Sequence, residues 1–292
     1  MENSKLSGSR IRASPIAGTW YPGQPDTLER AVLDLLEAVE PVDIDGELVA
    51  LLCPHAGLRY SGGVAAAGYR LLEQRPFDTA LVLGPSHHVY FQGASVYDRG
   101  AFETPLGRIQ IDEELARAVH DSSPCMRVFF EAHDQEHCLE MQLPFLQVLN
   151  PEMKIVPIIM GDQRRQNVEA VADAIAGTLI RDGRRVLLIA SSDLSHYESA
   201  EVAQTMDGKV SALVDRFDPD GLMELLETNH EHACGGGPLV AVMRAARALG
   251  GRSAQILRYG DSGDISGDKS EVVGYLSAAV YSSEPQRCHT RT

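Results

Sequence analysis

Residues 78 to 88 read DTALVLGPSHH. An apolar run stops at Gly84-Pro85, and His87 and His88 follow at once. A buried strand that ends with two imidazoles at its mouth poses a choice between a structural histidine in a turn and a reactive site. Two other segments repeat the arrangement. ELVALLC (47–53) runs into Pro54-His55-Ala56-Gly57, and RRVLLIA (184–190) runs into SSDLSHY, which holds Asp193 and His196. Short apolar runs bounded by turn residues read as fully buried strands. Helical patterns separate them. SGGVAAAGYRLLEQ (61–74) follows the first strand, and EHCLEMQLPFLQVL (136–149) precedes the strand KIVPIIM (154–160). The stretch 165 to 181 places Val168, Val171, Ala172, Ile175 and Leu179 on one helical face. Strands alternating with helices predict an α/β fold with a mixed, largely parallel sheet covered by helices on both faces.

Outward from this centre the patterns continue. Leu28, Ala31, Val32, Leu35, Leu36 and Val39 form one apolar helical stripe, and Asp26 with Glu29 spells a D-x-x-E capping pattern at its start. The irregular stretch 88–111 leaves room for an extra strand or hairpin around Ala94 to Tyr97. Two helices are expected over 200–228 and a third over 237–249, and the strands AQILRYG and VVGYLSAAVY close the chain. No repeat or linker interrupts the pattern, so one domain is expected over 14–283, with polar, loose ends at 1–13 and 284–292.

The chain has 292 residues, 44% of them hydrophobic, enough for one large α/β domain. No apolar run reaches the roughly 18 residues of a membrane span, and MENSKLSGSR lacks the apolar centre of a signal peptide. Five cysteines, an odd number in so long a chain, do not make a disulfide framework. A cytoplasmic location is therefore expected. The net charge of −15 repels phosphate backbones and argues against nucleic acid as a partner. Solubility accounts for the acidity.

In open α/β sheets the carboxyl ends of the strands line the ligand crevice. Three strands that end at or near His55, His87 and His196 therefore deliver imidazoles to one edge, which favours a site over three unrelated structural histidines. Hydrolysis is the first chemistry to weigh. GPSHH resembles the nucleophile elbow G-x-S-x-G around Ser86, but His88 stands where the turn needs a second glycine, and VYFQGASVY after it is strand-like. Neither nucleotide-binding fingerprint, G-x-x-x-x-G-K-[ST] or G-x-G-x-x-G, occurs. Neutral imidazoles suit iron, copper and zinc, and two of them with one anionic ligand form a facial triad with open positions. For the third ligand, NHEHACGGGP (229–238) offers Cys234 ahead of three glycines and a helix. A thiol at a helix N-terminus is expected to favour thiolate, the metal-binding form; the plainer alternative is a small buried residue. His230 and His232 beside it spell H-x-H-x-C, a weaker local pattern.

The set AGTWYPG, PHAG, GPSHH, EHCLEMQLPFL, SSDLSHY and ACGGGP, in this order across nearly the whole chain, resembles the Memo family (mediator of cell motility). Its bacterial and archaeal members are labelled AmmeMemoRadiSam system protein B. The resemblance implies a fold similar to the class III extradiol dioxygenases, with a non-haem iron site. It implies metal ligands at His55, His87 and Cys234, an acid–base pair at Asp193 and His196, and aromatic pocket walls at Trp20 and Tyr60. The resemblance also implies the company of a radical S-adenosylmethionine enzyme and a companion domain, without naming a substrate. Two departures matter. Cys234 stands where the dioxygenase triad carries a carboxylate, and a soft thiolate shifts preference from iron toward copper, so ring cleavage does not carry over. Gln142 and Gly236 differ from what animal members lead one to expect, so peptide binding does not carry over either.

Other candidates read more plainly. His137 and Glu140 form H-x-x-E, expected on one helical face; a di-iron bundle would need a second such motif. Glu136 or His137 is expected to orient a ligating imidazole. His120, His133 and His289 read as surface residues, and Cys53 as buried strand. GDSGDISGD (260–268) does not have the spacing of an EF-hand and reads as an acidic surface turn. Two functions stay open: a metal-dependent oxidoreductase acting on a small metabolite through iron or copper, and a metal- or peptide-binding protein without turnover or a scaffold partner of a radical S-adenosylmethionine enzyme.

Overall fold

The three strands that end in histidine-bearing turns lie side by side, and their register sets where a site can form. The structure, a computed structural model, describes residues 10–282. The chain runs through β1 (Ile11–Arg12), α1 (Pro25–Glu37), β2 (Glu47–Cys53), α2 (Leu58–Tyr69), β3 (Thr79–Pro85) and β4 (Ala94–Val96). A hairpin, β5 (Ala101–Thr104) and β6 (Gly107–Ile111), leads into α3 (Glu113–Asp121), β7 (Met126–Arg127) and the short α4 (Glu131–Asp134). Then come α5 (Leu143–Leu149), β8 (Lys154–Met160), α6 (Arg165–Asp182), β9 (Leu187–Ser191) and β10 (His196–Glu198). The last elements are α7 (Ala200–Asp215), α8 (Pro219–Thr228), α9 (Gly236–Ala248), β11 (Ser253–Asp261), α10 (Gly263–Ser266) and β12 (Val272–Ser282).

All the strands join one mixed sheet, whose main path is β1-β5-β6-β8-β3-β9-β2-β12-β10. Its centre, β6-β8-β3-β9-β2, is parallel, and β12 adds antiparallel beyond β2. β3 and β9 are buried along their whole length, β2 and β8 along all but the first residue. That fits continuous apolar runs covered on both faces. α9 packs on β2, β3 and β9, while α2 packs on β2, β11 and β12. Ala190 of β9 sits level with Leu83 of β3 and Leu52 of β2, so the three strands finish together at one edge. No helix among the described residues is long and apolar enough to cross a membrane.

Four local expectations need correction. α1 starts at Pro25, whose fixed φ suits the first helical turn. Gln24 precedes it without a side-chain cap, so the D-x-x-E box of Asp26 and Glu29 does not form. Leu28, Val32 and Leu36 are nonetheless the buried face. The stretch 136–149 is not one helix. It turns at 136–139, makes a single 3-10 turn over Glu140–Gln142, and becomes α-helical only from Leu143, with Pro144 in the first turn. Proline lacks an amide donor and is tolerated only there. The segment 10–13 is not loose, because Ile11 and Arg12 pair with Ala101 and Phe102 and Arg12 is buried. Residues 1–9 and 283–292, including Cys288 and His289, lie outside the described residues. His133 is buried rather than on the surface, its Nε2 3.0 Å from the Ser95 hydroxyl.

Candidate metal centre

The edge where β2, β3 and β9 finish carries most of the predicted residues. His55 leaves β2 after Pro54, His87 leaves β3 after Ser86, and Asp193 follows β9. Cys234 arrives from the other direction, in the loop before α9. That loop is held by Gly235, whose amide donates to the Ser192 hydroxyl at 3.0 Å, and by the Gln163 amide, which donates to the Cys234 carbonyl at 2.8 Å. A Cβ on Gly235 would stand 2.6 Å from the Ser191 carbonyl oxygen, so only glycine lets the loop approach β9 this closely. Gly84 does the same at β3, where a Cβ would meet the Cys138 sulfur at 2.5 Å. Its absence lets the 136–139 turn lie against the strand end.

One donor atom from each of His55, His87 and Cys234 lies within 4.8 Å of the other two, and the Cys234 sulfur is 3.2 Å from His55 Nε2. The two imidazoles stand edge to face, with ring centroids 5.2 Å apart. Hydrogen bonds decide which nitrogen each presents. The Ser191 hydroxyl donates its one proton to the Cys138 carbonyl at 2.7 Å and accepts from the Gln142 amide at 2.8 Å. His55 Nδ1, 3.0 Å from that same oxygen, must therefore donate to it, which leaves Nε2 with its lone pair free. His87 is fixed in the same way. Its Nδ1 donates to Glu136 Oε1 at 2.8 Å, and its backbone amide donates to Oε2 at 2.6 Å. This is the carboxylate–histidine arrangement that orients metal-ligating imidazoles. His196 donates from Nδ1 to the Leu194 carbonyl at 2.8 Å.

Burial sets the charges. His55 is driven down to about 3 by burial and the neighbouring His87, so its imidazole is neutral and able to ligate. His137 falls to about 3 for the same reasons, burial first and His55 second. Burial pushes Glu136 up, but the hydrogen bonds it accepts from the His87 ring and backbone outweigh it and hold the carboxyl well below the usual range. Asp193 goes the other way. Burial raises it, against the two amides of His55 and Ala56 that donate to its Oδ1 at 2.7 and 3.2 Å. Cys234 corrects an expectation: burial, with the Asp193 charge second, pushes its thiol well above the usual range. In the metal-free protein it is a thiol. The amides at the start of α9 are already taken, Gly235 by Ser192 and Gly237 by Gln163 Oε1 at 2.7 Å.

These donors face a cavity of about 610 Å³ that is also lined by Trp20, Tyr60, His137, Asp193, His196 and Tyr197. The structure thus brings together every residue expected at the site except Glu136, which stands behind His87. His88 does not line the cavity, in keeping with the opposite directions of adjacent residues leaving a strand. Of the two residues expected to orient a ligating imidazole, Glu136 does so, at His87. His137 instead enters the cavity, its ring 4.5 Å from His87 and 4.2 Å from Trp20, and with His87 and Glu136 makes a second donor group. Glu140 faces away from His137 and pairs with Arg12, so H-x-x-E shares no face. Ser191 and Gln142, which fix His55, were not read as site residues. Their signal lay in SSDLSHY and EHCLEMQLPFL, but nothing in either motif marks a hydroxyl or amide as an orienting group. The local H-x-H-x-C pattern yields no donor group among the described residues, and Lys269 neutralises Asp261 and Asp264 in the 260–268 turn at 2.7 and 2.6 Å.

Comparisons with known proteins identify the family. A family model described as Memo-like protein matches residues 12–279. A MEMO1 family protein of Methanosarcina mazei is 38% identical over 271 residues, covering 92% of this chain and 99% of its own. The MEMO1 family protein MJ0403 of Methanocaldococcus jannaschii is 37% identical over 290 residues, 93% of this chain and 99% of its own. A crystal structure of uncharacterized protein JW3007 from Escherichia coli K12 covers 79% of this chain and 99% of its own, at 15% identity and a TM-score of 0.49. Matched along nearly its full length by the family model and by curated relatives, the chain belongs to the Memo-like protein family.

Proposed function

We propose that the protein is a metal-dependent oxidoreductase acting on a small organic substrate, with the metal held by His55, His87 and Cys234. The observation that carries this reading is the pair of fixed tautomers: both imidazoles spend Nδ1–H inside the protein, which leaves Nε2 as the remaining donor atom, and in His55 that nitrogen lies 3.2 Å from the Cys234 sulfur. A purely structural histidine has no need of an unspent lone pair directed at a cavity. Two neutral imidazoles and a thiolate form a borderline-soft set suited to copper or iron, with the sulfur favouring copper. A bound metal of this kind supplies one-electron chemistry and Lewis acidity at the cavity floor.

The chain's own residues do the rest. Glu136 and Ser191 hold the imidazoles in place. His196 presents Nε2 as a proton acceptor because Nδ1 is committed to the Leu194 carbonyl. Asp193 anchors the turn after His55 through two amides. Cys234 must lose its proton on binding metal, so affinity should rise about tenfold per pH unit through the neutral range. The test is a titration of metal-free protein with copper(I) and iron(II), alongside His55→Ala, His87→Ala and Cys234→Ser. One tight site in the wild type is expected, lost in each variant by more than the ~10–100-fold that outer partners cost. Oxygen uptake by the loaded protein across a panel of small aromatics then separates turnover from binding alone. Tight binding that survives all three substitutions would overturn the proposal.

A further inference from the structure

Among the described residues, five exposed large side chains are aromatic: Trp20, Tyr60, Tyr90, Tyr197 and Tyr259. Three of the five, Trp20, Tyr60 and Tyr197, line the same cavity. Tyr197 is 74% exposed and held at φ 61°, a left-handed conformation uncommon for a bulky residue. Backbone of this kind clusters at functional sites, and of the two such non-glycine residues among those described, Tyr197 and Phe217, only Tyr197 lines the cavity. The charges around these rings are one-sided. No lysine or arginine lines the cavity among the described residues, its one carboxylate is Asp193, and the chain as a whole carries −15. Arg59 lines the adjacent groove with its guanidinium 5.8 Å from the Tyr60 centroid, outside the cavity. An anionic substrate tail would meet no lysine or arginine inside, whereas aromatic faces attract cations and stack on flat rings.

We infer that the cavity selects a small aromatic ammonium compound and rejects the matching carboxylate, with Trp20, Tyr60 and Tyr197 as the recognition surface. The inference rests on the proposed reading of this cavity as the substrate site, but it does not require the metal. The rings and the charge balance are properties of the chain alone.

Trp20 is the only tryptophan in the sequence, so its fluorescence reports binding at the mouth directly. The experiment titrates metal-free protein with tyramine and with 4-hydroxyphenylacetate, two phenols that differ chiefly in the charge of the tail. Tyramine should quench Trp20 saturably and bind at least ~10-fold more tightly than the acid. Tyr197→Phe and Tyr60→Phe should keep that preference. Tyr197→Leu and Tyr60→Leu, which preserve apolar bulk but remove the ring, should weaken tyramine several-fold and leave the acid unchanged. Equal or tighter binding of the acid would overturn the inference. So would quenching that never saturates, or leucine variants that bind tyramine as the wild type does. A protein that passes this test yet takes up no metal would refute the oxidoreductase proposal while sustaining this one.

Discussion

Two polar clusters share the segment 133–142 and behave in opposite ways. In one, Arg12 joins His133 to Glu140 and also donates to the Glu136 carbonyl. The Arg12 guanidinium pairs with the Glu140 carboxylate and donates to the His133 carbonyl at 2.8 Å, and Ser14 and Tyr21 also donate to Glu140. In the other, Glu136 fixes His87 from behind while His87, His55 and His137 face a cavity. Burial does not tell them apart, since His133 and His55 are both buried and both pushed down to about 3. What differs is where the remaining lone pairs point. His133 does not line the strand-end cavity, whereas His55 and His87 do, each with Nδ1 committed inside the protein and Nε2 left over. A perturbed histidine marks a site only when its unspent nitrogen faces somewhere a ligand can go.

The contrast breaks most visibly through stability. Glu140→Ala leaves the Arg12 guanidinium buried without its partner and should cost about 3–5 kcal/mol. A denaturant midpoint measured on metal-free protein reads this directly, and metal stoichiometry at low temperature should not change. Glu136→Gln should do the reverse. It should lower metal affinity by ~10–100-fold, as loss of a carboxylate behind a ligating histidine does, with little shift in the midpoint. If both variants lose stability alike and neither changes affinity, the two clusters are equally structural.

Acid sharpens the same comparison. His133 is held down to about 3 in the fold, against 6.5 for the free side chain. Between those values the unfolded chain binds a proton that the native state does not. The contribution of His133 is therefore present above pH 6.5 and is lost as pH falls toward 3. His133→Asn should flatten the decline of stability between pH 6 and 4 by about 1.4 kcal/mol per pH unit. An unchanged slope would mean that His133 is protonated in the fold. The smallest effect is expected at His88, which does not line the cavity. His88→Ala should leave metal affinity within a few-fold of wild type, and a loss equal to that of His87→Ala would reverse the assignment of the pair.

Much of this was legible in the sequence. The strand ends were, because a parallel sheet writes each buried strand as an unbroken apolar run and the turn after it shows at once, as at Gly84-Pro85. The level register of β2, β3 and β9 was not, yet it follows from the fold class that the runs predict. The Arg12 cluster was invisible, since Arg12 and Glu140 lie 128 positions apart and nothing in EAHDQEH separates a buried His133 from an exposed one. The protonation of Cys234 was misread because proximity to a helix start was taken to govern the thiol. Burial outweighs the dipole once other groups have taken the first amides. The break at 140–143 was signalled by Pro144, but the apolar spacing on either side disguised it.

The central claim is that His55, His87 and Cys234 together hold one metal ion. X-ray absorption at the metal edge of protein loaded with one equivalent of copper or iron tests it most directly, read beside the same spectrum for Cys234→Ser. The account predicts one sulfur at about 2.3 Å and two imidazole nitrogens at about 2.0–2.1 Å, typical distances for such ligands, with the sulfur shell absent in the variant. A wild-type spectrum without sulfur, built from His87, His137 and a carboxylate oxygen of Glu136, would contradict it and move the metal to the second donor group.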